Sequence, residues 1–140
     1  MDAGQGITGS VGTDSDLLAV RYVSGPSDYT ADCFGRRNTG SGNTESVNVF
    51  TVNTTTHELV CTVNSTTGVL AGNVKSLRVR YLTELATGLQ YLSASEVTTA
   101  TAWDKVKMIQ VTLTFLNTMP GTGGQDIPWV QMINLMNKAG

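Results

Sequence analysis

Charge is scarce in this chain of 140 residues: Asp, Glu, Lys and Arg supply 14% of it, and the net charge is −2. Soluble domains ordinarily carry about a quarter. Without a basic field to hold a phosphate backbone, nucleic acid is not expected as a dedicated ligand. Histidine occurs once, as His57, and cysteine twice, as Cys33 and Cys61. Neither cysteine has a second ligand at metal-site spacing, so no metal centre is expected. Catalytic apparatus is missing in the same way. There is no nucleophile elbow, no carboxylate pair on a helix, and no nucleophile that can be placed near His57 and Glu58. Neither an enzyme nor a cofactor is expected, and His57 reads as a surface residue at a hairpin end. No run of eighteen apolar residues occurs, so no membrane-spanning helix is expected. Met1-Asp2-Ala3-Gly4 carries neither the basic nor the apolar region of a secretory signal.

Thr, Ser, Asn and Gly fill the space that charge leaves, a composition of strands and polar loops suited to life outside the cytoplasm. Hydrophobic content is 40%, lean but enough for one core, and one domain over residues 1–140 is the natural count. The plainest pattern is Lys107 to Asn117. Ile109, Val111, Leu113 and Phe115 fall on one face of an extended strand, and Gln110, Thr112 and Thr114 on the other. Similar alternation predicts strands near residues 17–23, 47–52, 58–63 and 74–81, with 108–116 the fifth, in an antiparallel core. Leu17 to Val23 is apolar on both faces and is expected to be covered on both.

Between these strands, residues 1–15 read as loose, 35–46 as a long polar loop, 64–72 as a turn region and 83–90 as a loop. Ser93 with Glu96 three later fits a capping box before a short helical turn. Residues 127–136 fit a last strand or a helix equally, since Gln131, Asn134 and Asn137 recur at three while Pro128 and the length allow a strand.

Other patterns stay bland. Gly4, Gly6 and Gly9 match a dinucleotide loop on paper, but no strand can precede them at the chain start. Asp14-Ser15-Asp16 reads as a polar turn before a strand, not a cation site, because no other oxygen cluster adjoins it. Asn53-Thr54-Thr55 and Asn64-Ser65-Thr66 match the glycosylation sequon, as chance allows in a Thr-rich chain. Arg78 and Arg80 line the outer face of their strand, where they either keep the sheet soluble or meet an acidic partner. Cys33 and Cys61 are either two buried thiols or a disulfide, and the exported composition favours the disulfide.

The order of these pieces resembles the PilW family of minor type IV pilins, relatives of the J-type pseudopilins of type II secretion. Asp16 to Tyr22 looks like the family's first strand after the pilin helix. Asp32-Cys33-Phe34-Gly35 looks like its Asp-Cys-Leu-Gly segment. Asn48 to Val52 followed by Leu59-Val60-Cys61 looks like the hairpin that returns the second cysteine. Gly72 to Tyr81 is similar to its Gly-x-x-x-x-Leu-x-Val-x-Tyr strand. Ala94 to Val97, then Trp103 to Val111, is similar to its closing helical turn, Trp and strand. The match covers about residues 14–118. It departs in two places: the long apolar N-terminal helix is not in this chain, and Thr83 to Gly88 replaces an Asp- and Gly-rich, calcium-like loop, so no calcium is expected there.

The resemblance implies an α+β, mostly β fold of pilin-like antiparallel sheets with short helical turns, and a Cys33–Cys61 disulfide. It implies a structural minor pilin at or near the pilus tip, which primes assembly with other minor pilins and the major pilin and displays an adhesin. The full-length protein would be anchored in the inner membrane by its N-terminal helix, then carried to the extracellular pilus. A type II secretion pseudopilin is the nearest alternative. A β-sandwich carbohydrate-binding module, using Trp103 or Trp129 as an aromatic platform, is the alternative of another class. Without the pilin helix, an exposed apolar patch is expected on the 17–23 or the 108–116 strand.

Overall fold

The computed structural model describes residues 5–119, 121 and 123–135. Gly4 of the rejected glycine pattern, Pro120 and Thr122 of the loop after residue 117, and Met136 and Asn137 of the tail lie outside them. Among the described residues nine strands form two antiparallel sheets. The first has the order β1-β2-β3-β4-β5: β1 is Ile7–Ser10, β2 Leu17–Ser24, β3 Thr44–Asn53, β4 Glu58–Val63 and β5 Thr66–Ala71. The second has the order β7-β6-β8-β9: β6 is Val74–Leu85, β7 Gly88–Leu92, β8 Val106–Phe115 and β9 Ile127–Asn134. A short helix α1, Ala94–Thr99, and a single 3-10 turn, Trp103–Lys105, join β7 to β8.

The five expected strands are present, several longer than their alternation suggested. β3 begins at Thr44, because Thr44, Glu45 and Ser46 pair with Ser24, Val23 and Tyr22 although none is apolar. Residues 83–90 are not a loop. β6 runs on to Leu85, and Leu85 pairs with Gly88 in a tight hairpin into β7. Residues 64–72 are not only a turn either. Asn64 and Ser65 both have positive φ, the two-residue turn whose twist suits a hairpin, and β5 returns along β4. Nor is the start loose throughout, since β1 pairs with β2 over Ile7 to Ser10. These segments are Thr- and Gly-rich edges, held by backbone pairing more than by apolar side chains. The capping box forms as the Ser93–Glu96 spacing predicts. The ambiguous tail is strand β9.

The core lies between the sheets. Ile7 and Leu18 from the first meet Leu77, Val79 and Tyr81 of β6 and Ile109 and Val111 of β8, and α1 closes one end with Ala94 and Val97. Trp103 stands edge-on to Tyr81, with ring centroids 4.9 Å apart, and donates from its indole N–H to the Thr98 hydroxyl at 3.1 Å. β2 is covered on both faces at its start, where Leu18 and Ala19 are both buried, whereas Val23 is 57% exposed near the strand's end.

Candidate functional site

The two sheets do not overlap fully, and the uncovered part is apolar. Pairing with β8 sets Ile127 beside Phe115, Trp129 beside Leu113, Gln131 beside Val111 and Ile133 beside Ile109. Opposed residues share a face, so Ile127, Trp129 and Ile133 continue the core face of β8. Ile109 and Val111 are buried by the first sheet, but Ile127, Trp129 and Ile133 are 51%, 49% and 43% exposed. On the outer face Val130 and Met132 are exposed as well. The apolar patch therefore sits on β9 rather than on β2 or β8, because Leu18 of β2 and Ile109 and Val111 of β8 face each other in the core between the sheets. The signal was readable: an apolar run on both faces of residues 127–135 belongs to a strand covered on both sides.

A second feature lies on the inner face of the first sheet. Cys33 and Cys61 form a disulfide with a sequence separation of 28. It staples the segment after β2 over that face. Leu18, Phe50, Cys61 and Gly68 make one row across β2 to β5. A Cβ on Gly68 would stand 2.6 Å from the Phe34 ring, so glycine is what lets Phe34 lie there. The buried Asn48 accepts the Cys33 amide at 2.9 Å. Asp32 organises the turn itself, accepting from the Phe34 and Arg36 amides and from Arg36 Nε at 2.7 Å. Burial pushes the Asp32 carboxyl up, but these hydrogen bonds and the Arg36 charge outweigh it and hold the group below its ordinary value. Arg37 lies over the Tyr29 ring, 5.1 Å from its centroid. Asp32, Arg36 and Arg37 with Tyr22, Asn38 and Asn64 line a shallow polar cleft of about 240 Å³.

Arg78 and Arg80 sit on the outer face of β6, as their alternation predicts, but they reach different partners. Arg78 donates to the Gly12 and Thr13 carbonyls, each at 2.8 Å, and to Asp16 at 3.0 Å. Arg80 approaches Glu96 at 3.8 Å, with both side chains exposed. Across the sheet Arg78 pairs with Thr112 and Arg80 with Gln110, and these oppose Val130 and Met132. The outer face thus runs from cationic to apolar.

Asp16 was missed as a structural residue. It is 8% exposed, and its carboxylate accepts the Val79 amide at 2.9 Å. Trp103, packed on Tyr81, offers no open platform, whereas Trp129 does stand at the surface. His57 occupies the β3–β4 turn with a φ of 55°, and its Nδ1 is buried without a partner. Among the described residues no group of three His, Cys, Asp or Glu side chains could hold a metal ion, and no helix is long and apolar enough to cross a membrane. No family model, curated protein or solved structure matches this chain.

Proposed function

We propose that the chain is the globular domain of a structural minor pilin that assembles with other minor pilins and the major pilin at or near a type IV pilus tip. The observation that carries this reading is the uncovered core face of β9, with the half-buried Leu113 and Phe115 at the end of β8 beside it. Two strands about 4.8 Å apart present a strip close to 10 Å wide, the diameter of one α-helix with its side chains. An apolar helix laid along Leu113, Phe115, Ile127, Trp129 and Ile133 would complete the second layer that a sheet needs. The order of motifs around Cys33, Cys61, Tyr81 and Trp103 supports the same family. Function would then be contact and assembly, without bond chemistry. On the outer face Arg78 is committed to its own chain, so Arg80 is the cation open to an acidic neighbour. A type II secretion pseudopilin would use the same face in another machine.

The test begins with the residues encoded before Met1. An apolar helix with a glutamate near its start is expected there. Joined to this domain in detergent, that helix should raise the melting temperature, and Trp129→Lys should remove the gain. Co-expressed minor pilins should copurify with the joined protein. A helix that leaves stability unchanged, together with no copurification, would overturn the reading. Glycan binding lost in Trp129→Ala would instead favour the carbohydrate-binding alternative.

A further inference from the structure

Among the described residues, the outer edge of β9 is open in a way that the other sheet edges are not. Leu135 donates its amide to the Lys107 carbonyl at 3.0 Å, which makes Leu135 and Lys107 a hydrogen-bonded pair. Such pairs alternate along an antiparallel ladder, so the backbones of Ile127, Trp129, Gln131 and Ile133 turn towards β8. Those of Pro128, Val130, Met132 and Asn134 turn outward. Pro128 has no N–H to offer, a common guard on an edge strand. Val130, Met132 and Asn134 each present a donor and an acceptor, and among the described residues no strand pairs with them. The Met132 carbonyl accepts a long 3.3 Å hydrogen bond from the exposed Gln131 side-chain amide, which a pairing strand would displace or share.

Every other edge is blunted. β1 has 4 residues and β7 has 5. The β4–β5 pairing shifts register at Leu59 and Val60. The stretch of β6 that β7 does not reach is clasped by Ser15 and Asp16, which take the Leu77 and Val79 amides. β9 runs for 8 residues as Ile-Pro-Trp-Val-Gln-Met-Ile-Asn, with an unbroken register. It carries no charge, although charged side chains are the usual protection of an edge.

We propose that β9 pairs edge to edge, antiparallel, with β9 of a second copy of this chain. Centred on Met132, the pairing brings Val130 of each copy opposite Asn134 of the other and leaves Pro128 outside the ladder. Each outward N–H then meets a carbonyl of the second copy. Val130 and Met132 of both copies merge into one apolar strip on the outer face. Among the described residues the charges nearest the strand, Asp126 and Lys107, are already paired with Lys75 and Glu84, so these bring no like charges into opposition. This inference does not rest on the pilin reading: a helix would take the inner face of β9, and the second copy takes its edge.

Sedimentation velocity over a concentration series tests it on the chain as it stands. A monomer–dimer equilibrium is expected. Met132→Lys sets two lysines opposite each other across the two-fold axis and should raise the dissociation constant by about tenfold or more, while Met132→Leu should leave it nearly unchanged. Met132 is 39% exposed, so the melting temperature of the diluted lysine variant should match the parent. Hydrogen exchange on the unmodified chain supplies a readout that needs no variant: the Val130, Met132 and Asn134 amides should slow as the dimer fills. A monomer at every concentration overturns the proposal. So does a dimer that Met132→Lys leaves intact, or one that Trp129→Lys abolishes while those three amides stay fast.

Discussion

The carboxylate of Asp16 accepts the buried amide of Val79 at 2.9 Å, across 63 residues of chain. Around that bond Asp16 donates its own amide to the Leu77 carbonyl at 2.8 Å, and the Leu77 amide reaches Ser15 Oγ at 2.9 Å. Two residues thus stand in for a strand along the part of β6 that β7 does not cover. Arg78 locks the clasp through Asp16 and the Gly12 and Thr13 carbonyls. Asp16→Ala should lower stability by about 2–4 kcal/mol, because it strands a buried amide and breaks a half-buried ion pair. Asp16→Asn keeps the shape and should cost less. Urea unfolding of the two variants checks both, and a parental midpoint for Asp16→Ala would refute the clasp.

Tyr81 is fully buried, and its hydroxyl has no hydrogen-bond partner. Burial first, and the charge of Asp16 second, push its pKa above the ordinary value. The unfolded chain ionises this phenol near pH 10, while the folded chain keeps the proton. Stability is therefore intact below about pH 10 and falls as pH rises beyond it. Tyr81→Phe should flatten that alkaline decline. At neutral pH it should change stability by no more than about 1 kcal/mol, since the hydroxyl it removes was unsatisfied. Melting curves across the alkaline range decide the point.

Gly9 lies over the same hydroxyl. A Cβ there would collide with Tyr81 Oη and stand 2.7 Å from the Leu17 carbonyl. Gly9→Ala should destabilise by about 1–3 kcal/mol. Combining it with Tyr81→Phe should restore only part of the loss, because the Leu17 contact is backbone. Full recovery in the double variant would show that the hydroxyl alone sets the constraint.

The disulfide should behave as a staple for the segment around Phe34. Its loss should cost about 3.5 kcal/mol by the loop-entropy account. Trypsin should then cut after Arg36 and Arg37 faster, as the segment lifts from Gly68. Limited proteolysis with and without reductant, with the sheets followed by circular dichroism, measures both. Equal cutting rates would mean that Asp32 and Asn48 hold the turn unaided.

The capping box gives an acid-side expectation. Hydrogen bonds from the Ser93 hydroxyl and then its amide hold the Glu96 carboxyl below its ordinary value. The unfolded chain takes up that proton at a higher pH than the folded one. The contribution is thus present above the unfolded value, about 4.3, and is lost as pH falls through the lower folded value. NMR titration of the side-chain carboxyl should place Glu96 below an ordinary glutamate in the parent and move it part of the way back in Ser93→Ala, which removes the hydroxyl but keeps the amide.

Alternation and turn spacing determined the strands at residues 17–23, 47–52, 58–63, 74–81 and 108–116: a strand with one apolar face writes that face into every second residue, and Leu17 to Val23, apolar on both faces, was bounded by its turn residues. The capping box was equally legible, since Ser93 and Glu96 act within one helical turn. Two cysteines in a charge-poor, Thr-rich chain left few partners to choose from. What the sequence could not carry were the edges. β1, β5 and β7 are set by backbone pairing, which leaves little trace in side-chain pattern, and Thr66, Thr67, Gly68 and Gly88 look like loop residues when read singly. Asp16 looked like part of a polar turn because its partners, Leu77, Arg78 and Val79, lie more than sixty residues away. The apolar run of residues 127–135 announced burial, yet only the overlap of the two sheets decided that β9 would stand uncovered, since exposure depends on what the rest of the chain can reach.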